Sequence, residues 1–97
     1  MMGGWVYILT NKPHGVLYTG VSADLVARVN QHREGTGSKF VKKYNCRRLV
    51  FAEFSDRIED AIAREKAIKN WPRLWKLRLI HEANPNWDDL APENGGE

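Results

Sequence analysis

Two short apolar segments near the start of the chain, with a polar turn between them, constrain its fold more than any other feature. Residues 4–10 (GWVYILT) and 15–20 (GVLYTG) are rich in β-branched and aromatic side chains, and a proline and a glycine mark the turn. We expect two strands joined as a β-hairpin. The hairpin would bring Tyr7 and Tyr18, which lie eleven positions apart, close together.

Capping residues and breaks in the apolar pattern divide the rest of the chain into four helices and one strand. The predicted elements are a helix from Ser22 or Asp24 to about Arg33, a short helix over 38–44, a strand over 48–54, a helix from Asp56 to about Asn70, and a helix from about Pro72 to near Ala83. The order β-β-α-α-β-α-α indicates an α/β chain of the α+β type. We expect a small antiparallel or mixed three-stranded sheet that is flanked by helices.

Length and composition predict one domain over residues 1–90 and a disordered acidic tail over 91–97. The chain has 97 residues, of which 42% are hydrophobic and 28% charged. No segment approaches the ~18 apolar residues of a membrane span, and the N-terminus lacks the basic start of a secretion signal. The single Cys46 excludes an internal disulfide and a cysteine-based zinc site, so we expect a cytoplasmic protein and a packed or surface thiol rather than a catalytic one.

The distribution of charge makes the body of the protein basic. The net charge is +3, but the last fourteen residues contain four acidic side chains and no lysine or arginine, so residues 1–83 carry fifteen basic and eight acidic side chains, or +7. A basic body favours a polyanion as partner. A soluble surface that is basic without such a partner explains the same count.

Glu65 occupies a position where an apolar side chain is expected. On a helical projection it falls inside the apolar stripe that Ala61, Ile62 and Ile68 define. Burying an unpaired carboxylate is costly, so this side chain needs a cation or hydrogen-bond donors. Two interpretations are open: a structural ion pair, with Arg28 as a candidate partner, or a ligand for a hard divalent cation such as Mg²⁺.

Arg28 and His32 lie one turn apart on the side of the first helix that packs inward. An arginine there could neutralise a phosphate, and a histidine could position or deprotonate a nucleophile. Tyr7 and Tyr18 also have a simpler structural interpretation, because tyrosine is common in strands and a phenol with a pKa near ~10 is a poor base.

Two groups of basic residues could hold the phosphates of a nucleic acid, although solvated helix faces would look the same. The first group lies within residues 39–48 and the second within residues 64–78. Trp71 and Trp75 interleave with the second group, and we interpret them as packing residues rather than platforms for base stacking. The candidate nucleic-acid-binding residues are Lys39, Lys42, Lys43, Lys66 and Lys69.

Together these features resemble the GIY-YIG nuclease superfamily, and within it the small single-domain YhbQ-like branch. The resemblance covers residues 4–90. The positions that carry it are the first motif at residues 5–7 (WVY), the second at 18–20 (YTG), Arg28, His32 and Glu65.

The resemblance implies an antiparallel sheet between helices and hydrolysis of DNA with the help of one divalent ion. Glu65 would hold Mg²⁺ or Mn²⁺, and Tyr7 and Tyr18 would orient or activate the attacking water. Arg28 would stabilise charge on the phosphate, and His32 would assist proton transfer. The expected function is a metal-dependent endonuclease that acts on nicked, branched or damaged DNA in repair or recombination.

The chain departs from the family pattern at two places. Trp5 stands where glycine is usual, and the asparagine that many members carry after the glutamate has no counterpart at that spacing, since Asn70 and Asn84 do not fit it. These departures predict cleavage that is weak, directed by DNA structure or dependent on a partner. The basic body motivates the alternative function, a non-catalytic nucleic-acid-binding module on the same scaffold. A third is a protein-interaction domain that uses the acidic, tryptophan-containing segment 84–97.

Overall fold

The computed structural model describes residues 2–92 and confirms the predicted order of elements. Residues 93–97 of the predicted tail lie outside the described residues, whereas Ala91, just beyond the predicted end of the domain, packs against the core. The strands are β1 (Gly4–Thr10), β2 (Leu17–Ser22) and β3 (Arg48–Ser55), and the helices are α1 (Leu25–Arg33), α2 (Lys39–Tyr44), α3 (Ile58–Lys69) and α4 (Arg73–Ala83).

The sheet is antiparallel throughout, with β1 between β2 and β3. Tyr7 pairs with Gly20 and Leu9 pairs with Tyr18. Because antiparallel partners point to the same face of a sheet, and residues two apart in a strand share a face, all four positions face one side. Strand pairing alone therefore brings the two tyrosines of the hairpin to the same surface.

Helices cover both faces of this sheet. α1 and α2 bury Val29 and Val41 on the face that carries Tyr7, and the buried Cys46 packs in the same layer. α3 and α4 bury Ile68 and Ile80 on the opposite face. This arrangement explains why β1 is apolar on both sides. Within residues 2–92, none of the helices is long and apolar enough to cross a membrane.

β2 begins two residues later than the sequence predicts, because the turn holds more of the chain. The Thr10 hydroxyl lies 2.8 Å from the carbonyl oxygen of Lys12 and 2.7 Å from that of Val16. The hydroxyl thus bridges two carbonyls of the turn, that of Lys12 also accepting from the Gly15 amide at 2.9 Å, and the strand ladder starts at Leu17.

The residues at the helix starts differ from one helix to the next, and a side-chain cap is present at α1 but not at α3 or α4. Asp24 caps α1, its carboxylate accepting a hydrogen bond from the Ala27 amide at 3.1 Å. α3 begins at Ile58, two residues later than predicted, with Arg57 at its N-cap. Pro72 is the N-cap residue of α4 rather than part of its first turn.

The segment after α4 belongs to the core. Trp87 is 2% exposed and packs on the layer of α3 and α4. The Asn84 side-chain amide donates to the Val50 carbonyl at 3.1 Å, and Asp89 forms an ion pair with Arg33 at 3.1 Å. The tryptophan that motivated an interaction surface is therefore a packing residue, which removes the main support for a protein-interaction domain.

Candidate active site

The buried phenol of Tyr7 is held against the imidazole of His32. Tyr7 is 1% exposed, and its hydroxyl oxygen lies 2.8 Å from Nε2 of His32. The Tyr7 ring passes directly over Gly20, where a Cβ atom would clash with it. This contact explains why the second motif has a glycine at this position, because any side chain there would displace the phenol.

His32 is enclosed at the last turn of α1. It is 3% exposed, and a Cβ atom at Gly37 would lie 2.5 Å from its Nδ1 atom. Burial, with a further contribution from Arg28, lowers the pKa of His32 below its ordinary value of 6.5, so the ring is neutral at neutral pH. Nδ1 has no hydrogen-bond partner among the described residues. From the sequence, Gly37 could be recognised only as a residue that ends a helix. Its contact with His32 becomes visible only in the folded structure.

Tyr18 completes an aromatic cluster with these two rings. Its ring centroid lies 6.4 Å from that of Tyr7 and 5.2 Å from that of His32, and it meets His32 edge-on. Unlike the other two, Tyr18 is only half-buried. The two phenols therefore converge as the sequence predicted, one inside the protein and one at its surface.

Burial raises the pKa of Tyr7 to about 12, and neighbouring groups modify this effect. Tyr18 and Glu65 raise it further, whereas the guanidinium of Arg28 opposes the rise. A free Tyr7 phenolate is thus scarce at neutral pH. Any proton transfer at Tyr7 is easier when its own proton can pass to His32.

Arg28 lies one turn before His32 and supplies positive charge to the cluster. Its side chain is half-buried, and Nη1 donates to the Gln31 side-chain oxygen at 3.1 Å. It lowers the pKa of both Tyr7 and His32. The guanidinium therefore sits where it could bind an anion beside the phenol.

Glu65 is buried on α3 and forms an ion pair with Lys69 rather than with Arg28. It is 7% exposed, and its Oε2 atom lies 2.6 Å from Nζ of Lys69, four residues along the helix. Its charge still acts on Tyr7, which links it to the cluster.

The residues present fit a divalent cation only in part. No group of three or more histidine, cysteine, aspartate or glutamate side chains within residues 2–92 is arranged to hold a metal. A single carboxylate suits Mg²⁺, which keeps several waters and commonly takes its remaining ligands from substrate phosphates. The arrangement therefore fits a hydrated cation that the substrate helps to hold, and does not fit an all-protein cage.

Four of the five candidate lysines are exposed and form no ion pair with a carboxylate of residues 2–92. Lys39, Lys42 and Lys43 lie on α2, and Lys66 lies on α3. Lys69 instead neutralises Glu65. Trp71 is partly buried against the core, as predicted for a packing residue, while Trp75 is 51% exposed.

Comparison with known proteins identifies the class to which this site belongs. The model of the GIY-YIG catalytic domain matches residues 3–78, and the chain belongs to this family. It is a family of nucleases, so its substrates are nucleic acids, and its members generally use divalent metal ions.

More particularly, the chain is similar to proteins of the UPF0213 group. Those of Staphylococcus aureus strains Mu3 and Mu50 are each 43% identical over 78 residues, which is 80% of this chain and 94% of the relative. The solution NMR structure of a UPF0213 protein from Bacillus halodurans has a TM-score of 0.58 and 26% sequence identity, covering 98% of this chain and 100% of that one. These names state no activity.

Proposed function

We propose that this protein is a divalent-metal-dependent endonuclease that hydrolyses phosphodiester bonds in DNA. The buried hydrogen bond between Tyr7 and His32 is the main support, because a phenol and a neutral imidazole 2.8 Å apart form a path for a proton. Arg28 and Glu65 act on the same phenol. Converging titratable groups with perturbed pKa values are typical of active sites.

In the proposed reaction, a water oxygen attacks phosphorus while the bond from phosphorus to one bridging oxygen breaks. Tyr7 accepts a proton from the water as its own proton passes to Nε2 of His32, so the phenol stays neutral and the imidazole becomes charged. The leaving oxygen takes a proton from solvent. Arg28 offsets charge on the non-bridging oxygens, and Tyr18 orients the water.

Glu65 would hold Mg²⁺ or Mn²⁺, together with water and a phosphate oxygen of the DNA. The cation would supply positive charge that stabilises the transition state and lowers the pKa of the attacking water. Because the protein offers one carboxylate, binding of metal and binding of DNA should strengthen each other.

The exposed lysines support an extended polyanion as substrate, and nicked, branched or damaged DNA is the form that we propose. Lys39, Lys42, Lys43 and Lys66 would contact backbone phosphates, while Lys69 would do so after leaving Glu65. A free, buried cysteine agrees with a reducing cytoplasm, where such an enzyme would serve repair or recombination.

The second candidate function is binding of nucleic acid without cleavage. The ion pair between Glu65 and Lys69 favours it, since this carboxylate already has a cation and needs no metal to offset its burial. Such a module would bind DNA in a salt-sensitive way and without metal.

Cleavage of labelled single-stranded, duplex and branched DNA, with and without Mg²⁺ or Mn²⁺, tests the proposal. We expect metal-dependent products from the wild type and none from Glu65→Gln. Glu59→Gln is the matched control, because Glu59 is an exposed acid on the same helix. Equal cleavage by wild type and Glu65→Gln would reject the endonuclease, and salt-sensitive binding without cleavage by either would select the binding module.

A further inference from the structure

A row of three aromatic rings leads from the candidate active site to the surface, with its first ring on β2 and the next two on α2. The centroid of Phe40 lies 5.9 Å from that of Tyr18 and 4.7 Å from that of Tyr44. Tyr18 itself meets His32 edge-on at 5.2 Å. We call Tyr18, Phe40 and Tyr44 the aromatic row, which begins at the candidate site and ends on the surface.

The outer two rings of the aromatic row are open to solvent. Phe40 and Tyr44 are each 39% exposed, and the residue that α2 buries in the core is Val41. The core therefore requires neither ring in its present position. Large apolar surface that a short helix leaves in water, next to a binding site, indicates contact with a ligand.

The surroundings of the aromatic row carry positive charge. Lys39, Lys42 and Lys43 are exposed on the same six-residue helix, which contains no acidic residue. Nζ of Lys43 lies 5.3 Å from the ring centroid of Tyr44. The surface thus combines aromatic faces with lysines, which is the combination by which proteins hold the bases and phosphates of single-stranded nucleic acid.

We propose that the aromatic row is a binding site for unpaired nucleotides of a DNA strand, next to the phosphate that is cleaved. The bases would stack on Phe40 and Tyr44 while the lysines contact the flanking phosphates. The centroids of Phe40 and Tyr44 lie only 4.7 Å apart, too close for a base to insert between the two rings, so the bases would stack on the solvent-exposed faces of the rings. The location beside the scissile phosphate rests on the proposed function, whereas the binding itself does not.

This site determines the class of substrate. Bases in a blunt duplex are stacked on each other and cannot reach the rings, whereas bases in a single strand, an overhang or a junction can. The row therefore selects DNA with an unpaired segment, and the lysines alone would not make this distinction, because phosphates are present in every form.

Binding of fluorescent DNA, measured by fluorescence anisotropy, tests the proposal. A chelator of divalent metal ions is added to the solution so that no cleavage occurs. We expect the double variant Phe40→Leu/Tyr44→Leu to bind single-stranded and overhang DNA at least about tenfold more weakly, because leucine offers no aromatic face on which a base can stack. Blunt duplex of equal length should be bound as by wild type. A 2-aminopurine base in the overhang should be quenched on binding to the wild type and not on binding to the variant.

Two further variants control this experiment. Phe54→Leu makes the same change at a 52% exposed ring on β3 and should leave binding to every DNA unchanged. Lys42→Ala should weaken binding to single-stranded and duplex DNA alike. Tyr44→Leu alone, which leaves the packing of Phe40 on Tyr18 intact, should give a smaller loss confined to unpaired DNA.

Equal losses on duplex and unpaired DNA, or unchanged binding of unpaired DNA by folded variants, would overturn the proposed site. Tighter binding of RNA than of DNA with the same sequence would overturn the choice of ligand. Because cleavage is excluded by the chelator, these results stand apart from the Glu65→Gln test of the endonuclease.

Discussion

Tyr7 interacts with each of the other four candidate catalytic side chains. It hydrogen-bonds to His32, its ring contacts that of Tyr18, and Arg28 and Glu65 shift its pKa in opposite directions. The phenol is fully buried, so its hydroxyl needs a partner to avoid the cost of an unsatisfied polar group. The same contact that satisfies the hydroxyl also offers it a proton acceptor.

The variant Tyr7→Phe removes both the hydrogen bond and the proton acceptor, and two separate measurements report on the two roles. It should lower the single-turnover rate of cleavage by about a hundredfold or more, because it removes a general base. It should also reduce the free energy of unfolding by ~1–3 kcal/mol, since it leaves Nε2 of His32 without a partner. Tyr44→Phe, which removes an exposed hydroxyl, is the control for stability and should leave the free energy of unfolding unchanged. A wild-type rate for Tyr7→Phe would contradict the proposed proton path.

The lowered pKa of His32 predicts the pH dependence. The neutral ring accepts the proton, so the cleavage rate should persist below pH 6.5 and fall only as the pH approaches the lowered pKa. The unfolded chain binds this proton more tightly than the folded one. Stability is therefore full above the unfolded pKa and falls as the pH drops through ~6.5 toward the folded value.

Chemical denaturation and a pH–rate profile of wild type and His32→Gln measure both effects. The variant should lose the acid-side dependence of stability that this histidine causes, whereas His81→Gln, at an exposed position on α4, should keep it. A cleavage rate that already falls with decreasing pH above pH 6.5 would contradict a neutral, buried His32.

At the scale of the elements, α3 positions the buried carboxylate of Glu65 beside a lysine that would compete with a metal ion for it. Lys69 follows Glu65 by one turn, and its ammonium lies 2.6 Å from the carboxylate while the lysine side chain remains 51% exposed. The ammonium of Lys69 is already half in water, so it can leave without a large change in its own hydration, but the buried carboxylate then needs the metal as its new partner. Helix geometry therefore supplies both the ligand and a cation that must move away.

Replacing Lys69 by methionine should strengthen binding of Mn²⁺. The carboxylate would lose its internal cation and keep its buried position, so the dissociation constant measured by electron paramagnetic resonance in the presence of uncleavable DNA should fall. Lys12→Met, at an exposed position in the hairpin turn and outside the proposed DNA contacts, serves as the control and should leave it unchanged. An unchanged constant for Lys69→Met would show that Glu65 is not the ligand.

Sequence periodicity could predict the positions of these side chains but not all of their partners. The pairing of the hairpin follows from strand pattern and turn, and Glu65 stands out because a charge interrupts an apolar stripe. The partner of Glu65 depends on the conformation of a long surface side chain, which periodicity does not determine. The contact of Gly37 with His32 and the row formed by Phe40 with Tyr18 join different elements, so they become visible only once the chain is folded.

At the scale of the whole molecule, the segment after α4 packs against both layers of the core, with Trp87 on the side opposite the candidate site and Ala91 on the side that carries Tyr7. The GIY-YIG match ends at residue 78, yet Trp87 is buried and its ring lies 4.7 Å from that of His14 in the hairpin turn. The sequence predicted all seven elements and placed residues 84–90 within the domain, but the acidic, polar composition of this segment did not indicate which of its side chains would be buried. Its hydrogen bonds through Asn84 reveal this role.

Trp87→Ala should therefore destabilise the protein by ~3–5 kcal/mol, the usual cost of removing a buried aromatic ring. Trp75→Ala is the matched control, because Trp75 is 51% exposed, and it should cost much less. Denaturant unfolding followed by circular dichroism measures both. A Trp87→Ala protein as stable as the wild type would show that the terminal segment is a dispensable tail.

Convergence of the five side chains on one cation and one phosphate is tested most directly by a crystal structure with Mn²⁺ and uncleavable DNA. We predict an anomalous peak ~2.0–2.2 Å from a carboxylate oxygen of Glu65, with Lys69 displaced and a phosphate between Arg28 and the hydroxyl of Tyr7. A peak elsewhere, with the ion pair between Glu65 and Lys69 intact beside bound DNA, would contradict the account.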